Sequence, residues 1–259
     1  DQMFVKKAQA YLKQVWDEQL VPEIDSYRLK TWADGAGQGL INTSGLTNNT
    51  IIRAMLVANA ALDNKRVPRK NRVFFVPTTV AIETKLSDEL KYNPAFTSNA
   101  VINGLVNIID GTPVVTGPDD LFPAGVNFVL KYKNATVDPM KLRLLRVITN
   151  SENVAGSIMQ GLIRYDSFVL AQKADGIYIH AKDGMVAAPT VTVSGGQATI
   201  TTTTSGATIK YTIDGTNPKT SATAEVYTDP VDISTAKMVR AYAYKDGMLS
   251  SPITNLKLS

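Results

Sequence analysis

The rhythm of apolar and polar residues changes twice along the chain. Phe4, Ala8, Leu12, Val15 and Gln19, backed by Tyr11 and Trp16, recur at the i, i+4, i+7 spacing of an amphipathic helix. Pro22 is expected to interrupt that helix. It is also well placed as the first residue of a second one, with Glu23 and Asp25 in the turn where the helix dipole favours anions. The glycines of Ala33-Asp34-Gly35-Ala36-Gly37-Gln38-Gly39 end the second helix, and Asn49 or Thr50 caps a third running from Ile51 to about Asp63.

Strand signals follow. Arg72 to Pro77 reads as a short apolar strand stopped by proline, after which Thr78 or Thr79 can cap a helix reaching Leu90. Further strands are expected at Leu105 to Ile109, Pro113 to Thr116, Asn127 to Tyr132, Leu142 to Ile148, Ser167 to Leu170 and Ile177 to Ala181. Helices come early and strands late, which predicts an α+β unit rather than a wound α/β sheet.

Beyond Val186 the pattern becomes wholly β. Thr190 to Val193, Ala198 to Thr202, Thr208 to Ile213, Val231 to Ile233, Met238 to Tyr244 and Ile253 to Leu258 read as short strands with the spacing of a small sandwich. Tyr242 and Tyr244 alternate with alanines, so one face is aromatic; core packing, a half-buried sheet face or a ligand platform would each account for it. Composition changes at the same place. The last 74 residues hold 15 Thr, whereas both Trp and eight of nine Arg lie before them. With the turn signal Asp183-Gly184 and Pro189 beyond it, this puts the domains at 1–185 and 186–259.

Composition mainly excludes. With 44% hydrophobic residues in 259, the chain can bury a core and is not a disordered one. Zero Cys excludes disulfide scaffolds, Cys-based zinc sites and thiol catalysis, and a single His excludes any site needing two imidazoles. A net charge of +4 is far from the dense basic stripe of a dedicated nucleic-acid binder. No apolar run approaches the length of a membrane span, so no membrane partner is expected. The opening residues do not form a signal peptide, and a start at Asp1 rather than Met leads to the expectation that an upstream segment was removed or left out.

Four constellations invite chemistry. Gly35-Ala36-Gly37-Gln38-Gly39 superficially resembles a phosphate-binding loop, but it follows a helix and lacks Gly-Lys-Ser/Thr, so a flexible surface loop is expected. Lys65, Arg66, Arg69, Lys70 and Arg72 form the densest basic cluster, suited to a solvated loop or protein contact, or to DNA phosphates. His180 shares a strand face with Tyr178 and reads as a strand-surface histidine without catalytic companions. Asp17-Glu18 and Asp119-Asp120 are adjacent pairs, unlike the separated carboxylates of glycosidases. No catalytic, cofactor-binding or metal-ligating residue is therefore expected, and the chain reads as a non-enzyme.

Several segments of the first domain, taken in order, resemble a phage major capsid protein of the HK97-like fold. They are Val21-Pro22-Glu23-Ile24-Asp25-Ser26-Tyr27-Arg28-Leu29 at the end of a helix, the stretch Leu62 to Pro77 containing Val67-Pro68-Arg69, and the closing stretch Asp166 to Tyr178. The resemblance covers about residues 1–184. It implies the peripheral and axial domains of that fold without the N-terminal arm and E-loop that precede the spine helix in the family. The second domain is similar to the chitobiase/β-hexosaminidase C-terminal module, through Ala207-Thr208-Ile209-Lys210-Tyr211-Thr212-Ile213-Asp214-Gly215-Thr216-Asn217-Pro218 and on through Val239-Arg240-Ala241-Tyr242-Ala243. This implies an immunoglobulin-like sandwich in which Asp214-Gly215 permits a tight hairpin and Asn217-Pro218 turns the chain again.

The resemblances imply a structural subunit of a phage or prophage capsid, assembled in the bacterial cytoplasm and located in the virion. Its complete form is expected to self-associate into capsomers, with the C-terminal module making weak glycan or host-surface contact. The alternative is a carbohydrate-binding or accessory fragment of a glycoside-degrading system. DNA contact through residues 65–72 is a third reading.

Overall fold

A computed structural model describes residues 11, 13–42, 46–87, 105–148, 158–234, 236 and 238–258. The positions Phe4, Ala8 and Leu12 of the first amphipathic pattern, and residues 88–90 of the fourth expected helix, lie outside that set.

Pro22 does not interrupt the first helix. The chain runs through a π-turn at Trp16–Leu20 directly into α1 (Val21–Asp34), with the Val21 amide donating to the Trp16 carbonyl. Proline has no N–H to give and its ring crowds the carbonyl four residues back; the wider turn absorbs both problems. α2 (Ile51–Asn64) buries Ile51, Met55, Ala58 and Leu62, one stripe at helical spacing. α3 (Thr78–Leu86) is not capped by its own threonines: the Thr79 amide donates to Oδ1 of Asp119 at 3.1 Å, and the Thr78 hydroxyl donates to the Gly117 carbonyl. The cap is therefore supplied from a distant loop.

The helices pack on a six-stranded mixed sheet. Its strands are β1 (Gln38–Ile41), β2 (Arg72–Pro77), β3 (Leu105–Ile109), β4 (Thr112–Gly117), β5 (Val126–Tyr132) and β10 (Ile177–Ala181), in spatial order β1-β10-β5-β2-β4-β3. One face holds Phe74, Phe128, Leu130 and Tyr178 against α2 and α3. The other holds Val129, Ile177 and Ile179 against Leu29, Trp32 and Ala33 of α1. Mixed α+β is thus the class, although early strands join late ones in one sheet. β1 and β4 each pair parallel with a neighbour, to β10 and β2 respectively.

Two smaller ribbons extend this unit. β6 (Thr136–Val137) pairs with β9 (Phe168–Val169), and β7 (Met140–Ile148) with β8 (Ile158–Tyr165), both antiparallel. From Thr190 the chain forms two facing sheets. One contains β11 (Thr190–Ser194), β12 (Gln197–Thr201) and β15 (Val231–Asp232); the other contains β13 (Thr208–Thr212), β14 (Glu225–Val226), β16 (Met238–Tyr244) and β17 (Thr254–Lys257). Their shared core is Val186, Ala198, Ile200, Ile209, Val239, Ala241 and neighbours.

Tight hairpins occur where two successive residues have positive φ, the demand of a type I′ turn. Asp110-Gly111 (φ 49° and 73°) joins β3 to β4, and Gly195-Gly196 (φ 59° and 80°) joins β11 to β12. Asp214-Gly215 does not make the expected hairpin. Asp214 instead accepts from the amide and hydroxyl of Thr216, and the chain wanders to β14 before pairing again.

Candidate functional site

Three polar constellations lie inside the α+β unit, and each is committed to packing. The first centres on Arg72, which is only 1% exposed. Its guanidinium donates to Asp63 at 2.7 Å, to the side chain and carbonyl of Asn59 at 3.2 Å, and to the carbonyls of Val67 and Pro68. Arg69 meanwhile grips both Asp63 and Asp110, and Lys65 lies 3.8 Å from Asp175. The hydrogen bond from Arg69, helped by the hydrogen bond from Arg72 and the charge of both arginines, holds the Asp63 carboxyl below its usual range although burial pushes it up. The cluster expected to be solvated is therefore partly interior: Arg72 ties α2 to β2, and three of its five cations face carboxylates.

The second constellation was not legible beforehand. Asp138 accepts hydrogen bonds from Trp32 Nε1 at 3.0 Å, Ser167 Oγ at 2.6 Å, Thr136 Oγ1 at 2.9 Å and Lys131 Nζ at 3.2 Å. Burial pushes its carboxyl up, but the donors Ser167 and Trp32 and the Lys131 charge outweigh that and leave it lowered. Lys131 also sits over the Trp32 ring, 3.3 Å from its centroid, and burial pushes its pKa down to about 8 despite Asp138. A Ser, Lys and Asp within one cluster suggests nucleophilic chemistry, yet the geometry opposes it. Ser167 and Lys131 both donate to the same carboxylate, so no base is aimed at the hydroxyl.

His180 is the third, and it is not on the surface. It is 1% exposed, stacked on Phe128 with centroids 5.1 Å apart, its Nδ1 lying 3.0 Å from Nδ2 of Asn127. Burial pushes its pKa down to about 4. The alternation in Ile177–Ala181 marks a strand covered on both faces, which the period alone does not separate from a half-exposed one. Among the described residues, no group of three or more His, Cys, Asp or Glu could hold a metal ion.

The glycine loop is no flexible surface loop. A Cβ on Gly37 would lie 2.6 Å from the Ala174 carbonyl carbon, and one on Gly39 would meet Ile179 and Pro252. Gly37 thus lets the chain after α1 approach the backbone of residues 174–175, and Gly39 lets β1 sit against β10 and Pro252. The Lys219 ammonium donates to the carbonyls of Asp34 and Ala36 and lies 5.6 Å from the Tyr242 centroid. The Asp34 carboxylate accepts from the amide and hydroxyl of Ser250, and Asn217 reaches the Ala171 carbonyl. Cations at a helix C-terminus and backbone capping there are both favourable. Tyr242 and Tyr244 do stack on one face, 5.9 Å apart, but Tyr242 is closed off in this seam.

What stays open is apolar. Val137 and Phe168 are direct cross-strand partners, 49% and 53% exposed, and Met140 and Tyr27 lie exposed near them. Exposed apolar residues grouped in this way mark contact surfaces more than catalytic ones. Among the described residues no helix is long and apolar enough to cross a membrane.

Residues 187–255 match the family described as chitobiase/beta-hexosaminidase C-terminal domain. The fold of the chain is similar to that of a solved chain from Mycobacterium phage Che8, with a TM-score of 0.55 at 14% sequence identity. That likeness covers 66% of this chain, which spans 62% of the phage chain's length. No curated protein matches.

Proposed function

We propose that the chain is a structural, non-catalytic subunit of a phage or prophage capsid shell of the HK97-like fold. Its immunoglobulin-like module would be carried on the particle for weak surface or glycan contact, and the protein would assemble in the bacterial cytoplasm and end in the virion. The observation that carries this reading is the shared fold with a phage chain across two thirds of the sequence. Two features support it. The constellations around Arg72, Asp138 and His180 are engaged in holding elements together. An apolar strip around Val137 and Phe168 is left for neighbours, as repeated lateral contacts in a closed shell require.

The test is assembly. The full reading frame containing these residues is expressed, sedimented through a sucrose gradient and viewed by negative-stain electron microscopy. Capsomers or closed shells are expected. Monomers alone at high protein concentration would overturn the reading.

A further inference from the structure

The α1-side sheet face carries a feature that the proposed shell role does not use. α1 packs on β10, β5 and Phe75 of β2, while Val73 of β2 and Pro113 of β4 line a groove beside it. This groove, of about 480 Å³, is floored by Val73, Phe75 and Pro113. Its polar lining is cationic: Arg69, Lys70 and Lys133 are exposed, and Lys131 closes the inner end. No carboxylate lines it. Phe75 also lines a second cavity of about 240 Å³, whose walls include Asp25, Leu29, Val115, Leu121 and Phe122. Phe75 is common to both; the first is cationic, whereas the second is apolar apart from Asp25 and Thr116.

We propose that this basic groove binds an acidic, apolar segment of a partner protein. Carboxylates of the segment would meet Lys70 and Lys133, and its apolar side chains would lie on Val73, Phe75 and Pro113. Charge complementarity selects the occupant: every charged side chain lining the groove is cationic, and Lys70 and Lys133 are the exposed ones outside the pairs with Asp63, Asp110 and Asp138. The apolar floor argues for peptide over nucleic acid. Phosphate binding draws its strength from several free cations, and here Arg69 and Arg72 are held by Asp63, and Lys65 by Asp175. The proposal does not depend on shell formation, since it concerns a surface of the folded chain.

Fluorescence anisotropy on the full chain decides it, with four labelled probes. These are a peptide alternating Glu and Leu, its Glu–Ser analogue, its Lys–Leu analogue and single-stranded oligothymidine. The Glu–Leu peptide is expected to bind, with both analogues and the oligonucleotide weaker by roughly ten-fold or more. The Lys70→Glu/Lys133→Glu variant should lose roughly ten-fold in affinity for the Glu–Leu peptide, and the corresponding Gln variant less. Three results would overturn the proposal: no binding of the Glu–Leu peptide, unchanged binding by the charge-reversed variant, or tighter binding of the oligonucleotide.

Discussion

The buried histidine gives the fold a measurable dependence on mild acid. His180 is held neutral by its position against Phe128 and beside Asn127, with a pKa of about 4 in place of 6.5. Between those values the unfolded chain binds a proton that the folded chain does not. A group shifted down in this way contributes stability that is complete above the unfolded pKa and is lost as pH falls toward the folded one. From pH 7 to pH 5 the loss comes to roughly 2 kcal/mol for this one side chain. Urea denaturation followed by tryptophan fluorescence at both pH values measures it directly. Native carboxylates add their own acid sensitivity, so the comparison needs His180→Gln, which keeps a polar side chain but cannot titrate. The variant should be less stable at pH 7 and should show a shallower fall from pH 7 to pH 5. Equal slopes in the two proteins would refute the assignment of a neutral, buried imidazole.

Four further outcomes are expected. Arg72→Met should lower stability by about 3–5 kcal/mol, because it leaves the Asn59, Val67 and Pro68 carbonyls without their donor; Arg72→Lys should not restore it, and thermal denaturation reads both. Gly37→Val should cost about 1–3 kcal/mol or more in urea, since its Cβ meets Ala174 backbone that cannot give way. Lys219 and Lys131 both have pKa values pushed down to about 8 by burial, so stability should rise with pH between about 8 and 10.5, where the unfolded lysines still hold protons. Lys219→Met should flatten that rise, as measured by denaturant midpoints across the range. Phe168→Glu should abolish particle formation on sucrose gradients while leaving the melting temperature of the soluble chain unchanged.

Much of the fold was legible because its signals are local. The α2 stripe and the β10 boundaries follow from period and turn residues. What was illegible depended on distant partners. Nothing near Thr79 announces that Asp119 will cap its helix, and nothing near Arg72 says that its guanidinium will turn inward to α2. The role of the glycine loop is not separable in sequence, because glycine serves flexibility and close approach equally well, and only the neighbouring backbone of Ala174 decides which. Asp-Gly shows the same limit: at 110–111 both residues take positive φ and make a hairpin, whereas at 214–215 only the glycine does. The Asp138 cluster joins residues from 32 to 167 and has no sequence signature.

The seam around Lys219 also sets how the sandwich could act in many copies. A module on a loose tether samples a sphere, and its local concentration depends on tether length. Here the carbonyls of Asp34 and Ala36 and the Asp34 carboxylate clamp the module to the C-terminal end of α1. On a shell of the kind proposed, the distance and angle between neighbouring modules would be dictated by the lattice. Multivalent attachment would then discriminate between targets by the spacing of their binding groups, accepting surfaces in step with the lattice and ignoring those out of phase.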